Sequence, residues 1–463
     1  MDRTPWERGR MPTADFTRIR LGLALSSMSS FMQQQIVTNS QLVADGESSD
    51  DDKDFYRISD SDEDEGLDGQ FEVDLLHSTF TASPVVLPLC GLIGDHIKSL
   101  GTGSISMGGE RVYSIDEIDP GTFFELTHFQ PAEFLKTVAI HHKLPHVFRS
   151  TVSRHKCSRE IGLFIMLLRF RGNDWKDVEK VVNIRRNTCS DLYATAIVEY
   201  NKTDYALLAT NTDINRIRPH ITEFQEGSQS AGSTHPGMVC AADGKPMPTC
   251  RPSYRAAKKR GYSYQNDVQR CVYNSHYASH GLKIAHNVWA DGIVQVVVGS
   301  IKESDQRMMD RSELDAVLTF MGDERAREGL PRPICYGDPA YTQTQHIHRK
   351  HKNALTDAEK HDNACMIRPR SAAEDTFKDF TVLFPYFNIK TKHKIFTHGR
   401  AKYELEIVAA TMMYNVHTCF YGNQASGLYM VSSPTLEAYF ENVNQTPCAI
   451  ACLATDGVND NIF

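Results

Sequence analysis

PICYGDPAY, residues 333–341, is the stretch on which the reading of this chain turns. Ile334, Cys335 and Tyr336 suit a buried strand. Pro339 has no backbone N–H to donate, so it cannot continue a ladder, and the chain leaves the sheet at Asp338. One carboxylate is thereby delivered to the rim of a sheet, where open α/β folds keep their chemistry. An Asp at such a place is also an ordinary turn former. Two further acids give it weight: Asp243 upstream and Glu374 downstream.

Upstream, GMVCAA (237–242) reads as a second short apolar strand, ending at a turn formed by Asp243 and Gly244. Residues 282–300 read as a hairpin through Ala290-Asp291-Gly292, and 305–320 as a helix. Downstream, SAAEDTFKDFTVLF (371–384) reads as a helix with Ala373, Phe377, Phe380 and Phe384 inward and Glu374 beside that stripe. Arg370 and Glu374 at i,i+4 also fit an exposed ion pair. The apolar run 400–421 predicts a closing helix over the sheet. Strands, then helix, strand and helix is the order of a ribonuclease H-like α/β domain, expected here over 234–425, with 426–463 as an undefined tail.

Ahead of it, IGLFIMLLR (161–169) reads as a buried helix. Trp175, Val178 and Val182 then recur at helical spacing behind Asp174 as N-cap, and Thr188-x-x-Asp191 suggests a capping box. Helix, tight turn and helix, with Arg185 and Arg186 at the turn, is a helix-turn-helix outline over 156–225, shared by any αα-hairpin. The polar EGSQSAGS (226–233) reads as a linker between the two domains. In 76–155, PAEFLKTVA (131–139) has Pro at a helix's first turn, 85–97 is apolar, and the rest is unassigned.

The net charge of −8 is unevenly spread. Residues 45–68 carry twelve acids against Lys53 and Arg57, a balance of −10, leaving about +2 elsewhere. Such charge density predicts a disordered arm over 1–75. Conversely, residues 250–283 hold Arg251, Arg255, Lys258, Lys259, Arg260, Arg270 and Lys283 against Asp267 alone, interleaved with tyrosines. That is an electrostatic footprint for a phosphate backbone, or a solvated basic loop. Eleven cysteines without a CxxC pair argue against a disulfide framework and a thiolate zinc site. No run reaches membrane-spanning length, and no basic-then-apolar leader is present; a soluble intracellular protein is expected. QHIHRKHK (345–352) reads as a basic surface helix, because zinc at His346, His348 and His351 lacks a fourth ligand nearby.

Two hard cations commonly run phosphodiester cleavage, and they need anionic oxygens from several elements; Asp243, Asp338 and Glu374 supply such a set. The sequence here resembles the PIF/Harbinger transposases and the nucleases derived from them. The likeness runs through Ala242-Asp243-Gly244, Cys250-Arg251-Pro252, Tyr273-x-x-His276, His280-Gly281-Leu282-Lys283, Asp291-Gly292 and Tyr336-Gly337-Asp338-Pro339-Ala340-Tyr341. It closes with Arg370-x-x-x-Glu374-x-x-Phe377 and Met413-Tyr414-Asn415, spanning roughly 160–422. Ser304-Asp305 stands where the family has His-Asp, and Ser275 where it has Gly. The resemblance implies a DDE metal-binding triad of Asp243, Asp338 and Glu374, with Mg²⁺ or Mn²⁺ as paired cofactor ions. It implies cleavage of DNA at transposon ends and strand transfer to target DNA. Arg251, Arg255, Lys258, Lys259, Arg260, Lys283 and Arg370 are the expected nucleic-acid contacts. A nuclear location, a Myb/SANT-like partner protein and a homo-oligomer go with it. The rival expectation is a domesticated, non-catalytic DNA- or chromatin-binding protein that keeps the fold.

Overall fold

A computed structural model describes residues 115–153, 155–252, 272–388 and 403–445. The acidic arm, the apolar run 85–97, Arg255, Lys258, Lys259, Arg260 and Arg270 lie outside the described residues.

The described chain opens with helices α1 (Pro120–Thr127) and α2 (Pro131–Ile140), each with proline in its first turn, where a missing N–H costs nothing. A short hairpin, β1 (Val147–Arg149) and β2 (Lys156–Ser158), leads into α3 (Arg159–Phe170), buried along nearly its whole length. Helix α4 (Trp175–Val182) starts as expected: the Asp174 carboxylate accepts the N–H groups of Lys176 (2.7 Å) and Asp177 (2.9 Å). It stops at Asn183 in the left-handed region (φ 54°), and α5 (Arg186–Asn201) follows, leaving Arg185 and Arg186 exposed at the turn. The expected capping box is not formed, because Asp191 reaches across to the first hairpin instead. Its carboxylate accepts Ser150 Oγ at 2.6 Å and Thr151 Oγ1 at 2.8 Å.

Next come α6 (Tyr205–Thr210) and α7 (Ile221–Ser230), and α7 overturns the linker expected at EGSQSAGS. Small residues here serve close packing. A Cβ on Gly227 would collide with the Tyr429 carbonyl, and Ser228 is fully buried. The two expected domains therefore share one continuous hydrophobic core, running from Ile115 to Val443.

The central sheet is mixed. Strands β3 (Met238–Thr249), β5 (Ser279–Trp289) and β6 (Val294–Ser300) are antiparallel neighbours, with the two-residue β4 (Tyr273–Asn274) also on β5. On the other side of β3, β7 (Ile334–Gly337) and β8 (Ile347–Arg349) run parallel to it in turn. The order β6-β5-β3-β7-β8 thus places β3 at the centre. The 282–300 hairpin is present, its Gly292 at φ +83° and its Asp291 in a buried ion pair with Arg216. The single helix expected over 305–320 is two, α8 (Asp305–Arg311) and α9 (Leu314–Arg327), broken at Glu313 (φ 55°). The segment 345–352 is not a helix; it supplies β8.

Helix α10 (Asp357–Leu383) extends well upstream of the expected 371–384, carried by a Thr356/Glu359 capping box and continuing through Pro369. Helix α11 (Tyr403–Tyr421) covers the sheet edge: the Asn415 amide donates to the Val294 carbonyl (2.8 Å) and accepts its N–H (3.0 Å), standing in for a missing strand partner. The expected tail is structured to Gln445. Helices α12 (Gln424–Tyr429) and α13 (Leu436–Gln445) put Tyr429, Tyr439 and Phe440 into the core.

Candidate functional site

Parallel pairing of β3 with β7 aligns Ala241 with Tyr336, and Asp243 and Asp338 each follow two residues after that last pair. Strand β7 ends at Gly337 for the reason its sequence suggests. Pro339 offers no N–H, and the Asp338 carboxylate folds over to accept the Ala340 N–H at 2.8 Å. Gly337 allows the Tyr341 ring to tuck under the turn, where any Cβ would strike it. Asp243 departs from expectation. It is not at a strand end, because β3 runs on to Thr249 paired with β5, Asp243 opposite His286. Only its β7 neighbour stops there. Gly244 is extended rather than a turn, and its bare Cα admits Asp305 Oδ1, which a Cβ would strike.

Helix α10 supplies the third acid from above. Its Phe377 stacks on buried His286, ring centroids 4.1 Å apart at 13°, and carries the Lys245 ammonium 5.4 Å from its ring centre. Glu374 lies one turn earlier on the same helix face. Its side chain is 53% exposed and ion-paired with Arg370, which is the exposed-pair reading of the Arg370/Glu374 spacing.

Electrostatics tie the acids to one another. Partial burial is the largest influence on Asp243 and pushes its carboxyl up to about 6. Arg370 opposes this, while the negative charges of Asp338 and then Glu374 reinforce it. Two carboxylates distant in sequence therefore act on a third, half-buried one. Tyr341 adds a buried hydroxyl without a hydrogen-bond partner among the described residues. Burial raises its proton affinity, and the charges of Asp305, Asp243 and Asp338 raise it further.

The chain matches no family model, no curated protein and no solved structure. The residues alone speak for the site.

Of the expected phosphate contacts, Arg251 is exposed just past the end of β3, and Arg370 is held beside Glu374. Lys283 is a correction. It is nearly buried, with Nζ 2.8 Å from Asp305 Oδ1, because a cation inside the fold requires a counter-charge. Arg255, Lys258, Lys259 and Arg260 lie outside the described residues. Sequence reasoning quoted Tyr341 and Asp305 only as parts of motifs and gave neither a role; the departure it noted there is Ser304. Nothing local to either residue signals its place beside the acids.

Proposed function

We propose that this chain is a metal-dependent DDE nuclease or transposase of the PIF/Harbinger kind, working on DNA from a ribonuclease H-like domain. The observation that carries the reading is the placement of Asp243 and Asp338 on the neighbouring parallel strand segments β3 and β7, packed beneath the helix that bears Glu374. The strand order supports it: three antiparallel strands, then two strands added in parallel on the far side of the first. That is the arrangement expected of a ribonuclease H-like sheet.

The donor set fits hard divalent cations. The oxygens are carboxylate and come from three elements, and the buried Tyr341 hydroxyl, without a hydrogen-bond partner among the described residues, is acted on by the charges of Asp243 and Asp338. Asp243, Asp338 and Glu374 would hold Mg²⁺ or Mn²⁺, which when bound activates the attacking water or 3′-hydroxyl and neutralises the leaving oxygen. The chain's own groups do the rest. The turn at Pro339 fixes the Asp338 carboxylate, Lys283 neutralises Asp305 so that it does not compete, and Arg370 restrains Glu374 at the solvent edge. Arg251, with the basic residues that follow it in sequence, offers positive charge for a phosphate backbone. Such an enzyme works in the nucleus. A Myb/SANT-like partner suits a chain whose overall charge is too acidic for unaided DNA binding.

The Arg370–Glu374 ion pair favours one rival, a non-catalytic DNA- or chromatin-binding descendant in which that pair is permanent. Metal-dependent cleavage of inverted-repeat duplexes by the wild type, Asp338→Asn and Glu374→Gln separates the two. Loss of cleavage by about 10²-fold or more in each variant is expected, the scale seen when a charge-stabilising group is removed. Equal cleavage by all three proteins removes the triad assignment, and no cleavage by any of them favours the rival.

A further inference from the structure

Away from the acid triad, three segments meet at one carboxylate. His348 lies on edge strand β8, opposite Tyr336 of β7. His235 precedes β3, and Asp362 lies in the first turns of α10. His348 Nε2 is 2.9 Å from Asp362 Oδ2, and His351 Nε2 is 3.0 Å from the same oxygen. His235 Nε2 is 3.7 Å from Asp362 Oδ1, and the His235 and His348 rings are 4.0 Å apart. One ligand atom from each of His235, His348 and Asp362 lies within 4.8 Å of the others.

We propose that His235, His348 and Asp362 form a binding site for a borderline transition-metal ion, Zn²⁺ in preference to Mg²⁺, with His351 beside it as a candidate fourth ligand. Two imidazoles and one carboxylate are a zinc donor set; magnesium takes oxygens. Around a tetrahedral zinc with bonds near 2.0 Å, ligand atoms stand about 3.3 Å apart; His348 Nε2 lies 2.9 Å from one Asp362 oxygen and His235 Nε2 3.7 Å from the other, so a small side-chain adjustment brings the set to that spacing. The surroundings already hold the pieces in place. Asn363 clamps His351 through both backbone groups, accepting its N–H at 2.8 Å and donating to its carbonyl at 3.0 Å. The Tyr336 ring packs against both His235 and His348, at 6.0 and 5.5 Å between centroids. A metal on His348 Nε2 leaves the proton on Nδ1. The exposed Gln343 amide nitrogen, 3.2 Å from Nδ1, must then turn away, and exposure lets it do so.

The site would staple the start of α10 to the β7–β8 edge. Glu374 lies twelve residues further along that helix (374 − 362), about 18 Å at the helical rise, so the staple would set the approach of the helix that carries it. The metal assignment itself does not depend on the nuclease reading.

Tag-free protein, stripped with chelator and titrated with Co²⁺, Zn²⁺ or Mg²⁺, tests the proposal. Expected are visible d–d absorption bands with Co²⁺, their displacement by Zn²⁺, and a rise in Tm with Zn²⁺ that Mg²⁺ does not reproduce. His348→Ala and Asp362→Asn should each lose the cobalt bands, as should His235→Gln, a change in a half-exposed residue expected to leave folding intact. Asp338→Asn should keep them, which separates this site from the triad. Absence of cobalt bands in the wild type, or bands that persist in both His235→Gln and Asp362→Asn, would leave only a hydrogen-bonded cluster and overturn the assignment.

Discussion

Asp243 carries a cost that its place in the sheet explains. Its carboxyl is pushed up to about 6 by burial first, and the charges of Asp338 and Glu374 add to this against the pull of Arg370. In the unfolded chain it titrates near 3.9. Between those values the folded protein binds a proton that the unfolded chain does not, so this group's contribution to stability falls as pH rises through about 4 to 6. At pH 7 and in chelator, Asp243→Asn is therefore expected to melt above the wild type. The gap in Tm should widen from pH 4 to pH 7 and then level off. Scanning calorimetry across that range checks it, and a variant that melts lower at pH 7 would contradict the electrostatic picture. A site that destabilises its own fold in this way is a common mark of function.

Among the elements, α7 shows where composition misleads. EGSQSAGS has the residues of a linker, yet Gly227 is small because the 429–431 segment passes directly over it, and Ser228 beside it is fully buried. Gly227→Ala should cost about 1–3 kcal/mol in urea denaturation, the usual range for overpacking; a neutral outcome would mean that α7 can move aside. In the hairpin turn, Asp291 accepts the Ile293 N–H at 3.1 Å and pairs with Arg216 where both side chains are almost wholly buried. Removing one partner leaves an uncompensated buried charge. Arg216→Ala should thus cost about 3–5 kcal/mol, whereas replacing both residues by apolar ones of similar volume should cost much less. Denaturation midpoints of the single and double variants measure the difference.

For the molecule as a whole, acid is the predicted weakness. Burial holds His141 down to about 4, and burial with nearby positive charge holds His128 and His417 at about 4 as well. His141 is enclosed between Thr137 O (2.6 Å) and Tyr200 Oη (2.9 Å), and its ring lies against Phe440 of α13. All three titrate near 6.5 when unfolded. From about 6.5 down to about 4 the unfolded chain takes up protons that the folded chain refuses, so stability falls over that window on acidification. Urea midpoints measured between pH 7 and 4 should fall steadily, and His141→Gln should flatten part of that slope. A midpoint independent of pH over this range would refute the prediction.

Local chemistry made part of this legible in advance. The stop at Pro339, the Asp174 cap, the proline-led start of α2 and the 282–300 hairpin each depend on a dihedral or hydrogen bond within a few residues. The three acids were legible as residue types in an order, from their sequence context. What no window of sequence contains is the partner across a gap. Asp243 sits in mid-strand because β5 accompanies β3 to its end, and Lys283 turns inward because Asp305 waits beside Gly244. His348 meets Asp362 because β8 is a strand and α10 begins at Asp357, fourteen residues ahead of the expected 371. Backbone preferences are set by neighbours in the chain; the placing of charges and ligands is set by whatever the folded chain brings opposite them.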